Sequence, residues 1–93
     1  MSQILTVGFE FQEIFYYSLI QVKQIADETL YKITVMNGTL EKLLFGNNVI
    51  KEIDGRLKVE IKGAGEIEEL KVTIAEALSS LLMKPLEKDL KPD

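Results

Sequence analysis

The chain has no cysteine, no histidine and no tryptophan among its 93 residues. Each absence removes a class of chemistry. Without cysteine there is no disulfide, no thiolate nucleophile and no zinc–sulfur site. Without histidine the commonest general base and the commonest transition-metal ligand are missing, and every histidine-dependent triad goes with them. Arg56 alone can offer a bidentate fork to a phosphate or a base. No apolar run approaches the ~20 residues of a membrane span. Residues 1–11 carry no basic stretch before their apolar positions, so they do not read as a signal peptide. The expectation is a cytoplasmic protein with no membrane partner.

What is present describes an ordinary folded domain. Hydrophobic residues make up 46% of the chain and charged residues 28%, which argues against wholesale disorder. The length suits one domain with one core. Fifteen acids oppose eleven bases, for a net charge of −4. An acidic balance repels phosphate backbones at long range, so no nucleic-acid partner is expected.

The hydrophobic pattern opens with period two. Leu5, Val7, Phe9 and Phe11 alternate with Thr6, Gly8 and Glu10, which predicts a half-buried strand. Residues 14–25 are rich in aromatic and β-branched side chains and read as a second strand. Residues 30–36 read as a third. Ala26-Asp27-Glu28-Thr29 is expected to close the second hairpin with Ile25 opposite Leu30. Gln12-Glu13 is poor turn chemistry. If it nonetheless forms a two-residue turn, Phe9 faces Tyr16 and Gly8 faces Tyr17.

Asn37-Gly38 signals a turn. Residues 39–45 are compatible with a strand or a short helix. The i, i+3, i+4 spacing of Leu40, Leu43 and Leu44, with Gly46 placed to end a helix, favours the helix. Residues 49–53 and 56–62 flank Asp54-Gly55 as a hairpin. A two-residue turn there sets Lys51 against Lys58. A three-residue turn sets Glu52 against Arg56 and is preferred, because it avoids the like-charge pair.

Residues 66–83 read as one amphipathic helix with Ile67, Leu70, Ile74, Ala77, Leu78 and Leu81 on its apolar stripe. Glu66, Glu68 and Glu69 suit the positive end of its dipole. A strand at 70–74 is the competing reading. Pro85 should end the helix, leaving 85–93 as a flexible tail.

These elements predict an α+β fold in the order β-β-β-(short α)-β-β-α. It is an antiparallel five-stranded sheet, a β-meander plus a hairpin, with the long C-terminal helix on one face. Residues 1–84 form the single domain.

The functional expectation comes from the face the helix leaves open. On the expected registers Phe15, Tyr17, Leu19 and Met36 cluster there. Exposed apolar clusters mark interfaces, which points to a non-enzymatic interaction or self-association module, expected as a homodimer. The competing reading has the short helix or the C-terminal tail folding over this cluster. A small apolar-ligand-binding protein, with Phe9, Phe11 and Phe45 around a cavity, is the alternative function. No catalytic residue, metal site or cofactor is expected. Glu66 with Glu69, Glu10 with Glu13, and the three tyrosines lack a partner that would poise them for acid–base work. Gly63-Ala64-Gly65 lacks the lysine and hydroxyl of a phosphate loop. Asp54-Gly55 lacks the ligands of a calcium loop.

Overall fold

The computed structural model describes residues 3–63 and 65–90. Its strands are β1 (Gln3–Phe11), β2 (Ile14–Ile25), β3 (Glu28–Val35), β4 (Val49–Ile53), β5 (Arg56–Ile61) and β6 (Leu86–Leu90). Helix α1 (Gly38–Leu43) lies between β3 and β4, and helix α2 (Glu66–Leu82) lies between β5 and β6. The fold is α+β, with six strands in one sheet in the order β1-β2-β3-β4-β5-β6. The first five are antiparallel neighbours, and β6 adds to β5 in parallel. The sheet is therefore mixed rather than purely antiparallel. A parallel neighbour requires a long crossover, which α2 supplies. Leu86–Leu90, expected within a tail, is this sixth strand; residues 91–93 of that segment lie outside the described residues.

Turn geometry sets the registers. Gln12 and Glu13 both adopt positive φ, 51° and 68°, as a tight hairpin matched to strand twist requires. Phe9 thus faces Tyr16, and Gly8 faces Tyr17, as the two-residue turn implied. The second hairpin is tighter than expected. Ala26, at φ 53°, lets a two-residue turn set Ile25 against Glu28 rather than Leu30. The third hairpin also differs. Asp54 and Gly55 both take positive φ, and Lys51 does stand opposite Lys58. A shift by one residue would turn one strand's apolar set away from the core. Keeping Ile50, Leu57 and Val59 buried outweighs a like-charge pair at the surface, which costs well under ~1 kcal/mol.

Helix α1 forms where the leucine spacing placed it. Asn37 caps it by accepting a hydrogen bond from the Leu40 amide, and Leu40 and Leu44 join the core. Helix α2 runs unbroken through 70–74, so no strand forms there. It ends at Met83, which takes left-handed backbone at φ 57°, with Pro85 just beyond. Its buried side is made by Leu70, Lys71, Ile74, Ala75 and Leu78. Leu81, expected on that stripe, is 53% exposed, and Lys71 is buried instead.

Helix α2 packs against β1, β5 and β6. Beneath it lie Val7, Phe9, Phe11, Ile20, Ile33, Ile50, Leu57 and Val59, all buried. Ser18 is enclosed among them and donates its hydroxyl proton to the Val7 carbonyl, which satisfies it. No helix among the described residues is long and apolar enough to cross a membrane.

Candidate functional site

The sheet has two faces and helices on one of them. Strand alternation sends Phe15, Tyr17 and Leu19 of β2 to the open side, in a row along the strand. Met36, one step past β3, donates its amide proton to the Tyr17 carbonyl at 2.9 Å, which sets it beside Tyr17. The four residues expected to cluster are thus brought together. Phe15, Tyr17 and Met36 are 58%, 57% and 60% exposed, and Leu19 is 37% exposed. Helix α1 sits against β3 and sends its leucines into the core; β6 lies at the far edge of the sheet. Nothing among the described residues folds over the cluster.

The cluster has internal order. The Phe15 and Tyr17 rings meet edge to face, with centroids 5.2 Å apart and planes at 85°. The Phe15 ring lies across Gly8. A Cβ at that position would stand 2.5 Å from Phe15 Cζ, so the ring occupies space that only glycine leaves free. Charges bracket the cluster along the strands. Glu10 stands beside Phe15 at one end, and Lys32 beside Gln21 at the other, with Lys23 two residues further along β2. All three charged side chains are exposed. Ile4 and Ile25, 65% and 56% exposed, extend the apolar character of the open face. Sequence reasoning missed both, although the period-two pattern that found Tyr17 assigns Ile4 to the same side.

Among the described residues, one tyrosine meets a carboxylate, in a trio of Tyr31, Glu52 and Lys84. Tyr31 donates its hydroxyl proton to Glu52 at 2.5 Å, and Lys84 holds both Glu52 oxygens at 2.7 Å. Burial raises the Glu52 pKa, but hydrogen bonds from Lys84 and Tyr31 outweigh it and hold the carboxyl below its ordinary value. Burial, then the hydrogen bond and the charge of Glu52, push the Tyr31 hydroxyl above its own. Both groups move away from neutrality, so neither is poised to exchange a proton there. The trio joins β3 and β4 to the segment between α2 and β6. Glu66 accepts a hydrogen bond from Gln12, and Glu68 accepts one from the Lys62 amide. Among the described residues, no three acidic side chains stand close enough to hold a metal ion. Phe9 and Phe11 are buried in the core, whereas Phe45 is 87% exposed, so these three do not line one cavity.

No protein family, curated protein or solved structure matches the chain.

Proposed function

We propose that the chain is a non-enzymatic self-association module whose open sheet face, centred on Phe15, Tyr17, Leu19 and Met36, receives a second copy of itself. The observation that carries this reading is the exposed apolar cluster with acid at one end and base at the other. A two-fold axis running across the strands, near Ser18, lays Tyr17 and Leu19 of one copy over Leu19 and Tyr17 of the next. The same rotation brings Glu10 of each copy to the end of the contact where Lys32 of the other lies, on the opposite side of β2. Isologous contacts need this self-complementarity. Glu10 and Lys32 are six residue steps apart along β2, about 20 Å at the usual strand rise. The exposed area of four side chains falls short of the ~800 Å² per partner of a standard interface, so the dimer is weak, with Kd in the micromolar range.

Sedimentation equilibrium over a concentration series tests the reading. The native chain is expected to move from monomer to dimer as concentration rises through the high micromolar range, less readily in high salt. Tyr17→Asp, at a position 57% exposed, is expected to stay monomeric with unchanged circular dichroism. A native chain that is monomeric at about 1 mM would overturn it.

A further inference from the structure

Of the three asparagines, Asn37, Asn47 and Asn48, only Asn37 is followed by glycine. That order matters chemically. The backbone nitrogen after an asparagine can attack the side-chain carbonyl carbon and close a succinimide ring, and glycine has no Cβ to obstruct the approach.

The structure leaves the nucleophile free. Gly38 is exposed, and a Cβ placed on it would meet nothing within 4 Å. It opens α1, where a backbone amide has no helical carbonyl behind it. The Gly38 amide has no hydrogen-bond partner among the described residues. Asn37 is half-buried and shares an open depression with Gly38, Thr39, Lys42 and Leu43, so water reaches the pair.

The electrophile, by contrast, is held. Asn37 Oδ1 accepts a hydrogen bond from the Leu40 amide at 3.1 Å, and the Asn37 main-chain carbonyl accepts one from the Glu41 amide at 2.9 Å. The Asn37 backbone is extended, at φ −158° and ψ 120°. Attack on Cγ requires rotation about ψ, and that rotation swings the carbonyl away from the Glu41 amide. The first turn of α1 must therefore open before the ring closes. Helix α1 has only 6 residues, too few to be stable alone, and it is held by Leu40 and Leu44 in the core. Opening one such turn costs less than unfolding the domain.

We propose that Asn37–Gly38 is a spontaneous modification site, deamidated at a rate set by opening of the first turn of α1. The Gly38 nitrogen gives its proton to solvent and bonds to Asn37 Cγ. The Cγ–Nδ2 bond breaks, and Nδ2 takes a proton from solvent and leaves as ammonia. Water then adds to either ring carbonyl and breaks that carbon's bond to the Gly38 nitrogen, which regains a proton. Opening at Cγ leaves aspartate; opening at the main-chain carbon leaves isoaspartate. No electrons are exchanged with any other group, and the reaction stands apart from self-association. Aspartate keeps an oxygen that can cap α1. Isoaspartate inserts Cβ into the main chain and takes the cap from Leu40. Its neighbour Met36, whose amide binds the Tyr17 carbonyl, is displaced with it.

Incubation of the full chain in mildly alkaline buffer, with peptide mapping by mass spectrometry over time, tests the site. Expected is the mass gain of one amide-to-acid conversion, confined to Asn37 and split between aspartate and isoaspartate. The native chain is expected to convert about ten- to a hundredfold more slowly than the chain in urea. Glu41→Gly loosens the turn and is expected to speed the native reaction about fivefold, with circular dichroism otherwise unchanged. Gly38→Ala is expected to slow conversion in urea, where folding plays no part. In the isolated isoaspartate form, NMR shifts are expected at the Met36 and Leu40 amides. Equal rates in native buffer and urea would overturn the gate. Conversion at Asn47 or Asn48 as fast as at Asn37 in urea would overturn the chemistry. A native chain unconverted after about a hundred unfolded-state half-lives would overturn the site itself.

Discussion

The ion pair between Lys84 and Glu52 is a part-buried polar link between the C-terminal segment and the sheet, and its strength follows from its burial. Both Glu52 oxygens lie 2.7 Å from Lys84 Nζ. The Glu52 side chain is 13% exposed and that of Lys84 is 36% exposed. Fully exposed pairs contribute ~0.2–1 kcal/mol, whereas breaking a buried pair costs ~3–5 kcal/mol. With one partner enclosed and the other a third open to solvent, water screens part of the attraction. The expected coupling is about 1–2 kcal/mol. Four proteins measure it: the native chain, Glu52→Gln, Lys84→Met and the double variant. Each is unfolded in urea at the same low micromolar concentration. The pH dependence supplies an internal control. Glu52 is held below its ordinary carboxyl value when folded, so its contribution is fully present above the unfolded value of 4.5. That contribution disappears as pH falls through the lower folded value. The coupling measured at neutral pH should therefore shrink as pH falls below 4.5. A coupling under ~0.3 kcal/mol at neutral pH, or one undiminished in acid, would refute the reasoning.

Two further outcomes follow from the same end of the molecule. The Tyr31 hydroxyl is held above its ordinary value of 10.0, so its contribution is whole below that pH and is lost as pH rises beyond it. In urea unfolding across the alkaline range, Tyr31→Phe should be about 1 kcal/mol less stable near neutrality and should lose less stability above about pH 10; parallel curves would refute this. Leu86 pairs with Leu57 and packs on the core, so Leu86→Asp should cost about 2–3 kcal/mol in the same assay. A loss below ~0.5 kcal/mol would show that β6 carries little of the stability.

How much of this was readable from the residues depends on parity. The second hairpin is two residues tighter than expected, yet Tyr17, Leu19 and Ile20 keep their faces, because an even shift leaves alternation unchanged. The open cluster was therefore found from a partly wrong register. The Lys51↔Lys58 pair was misjudged because charge was weighed there without the burial of Ile50 and Val59. Strand β6 was missed for a different reason. Its sequence, Leu-Glu-Lys-Asp-Leu, has the charge density that keeps a sheet edge from pairing with other chains, and the same charges make it resemble a tail. Lys71 gave no signal, since a helical stripe is read from its apolar members. The Tyr31–Glu52–Lys84 trio left none either, because its members are 21 and 32 residues apart and meet only when β4 and the end of α2 converge.

The parallel pairing of β6 has a consequence for the order in which the sheet forms. Strands β1, β2 and β3, and likewise β4 and β5, are joined by two-residue turns, so their contacts close over short stretches of chain and can form within microseconds to milliseconds. The pair Leu57↔Leu86 closes only after the whole of α2 has been made and laid back on the sheet. Loop-closure entropy therefore places the last strand at the end of folding. Until then β5 is the bare edge of a five-stranded sheet. Substitutions in β6 should raise the unfolding rate far more than they slow folding, and slow emergence of the C-terminal segment during synthesis would prolong the period in which β5 can pair with another chain.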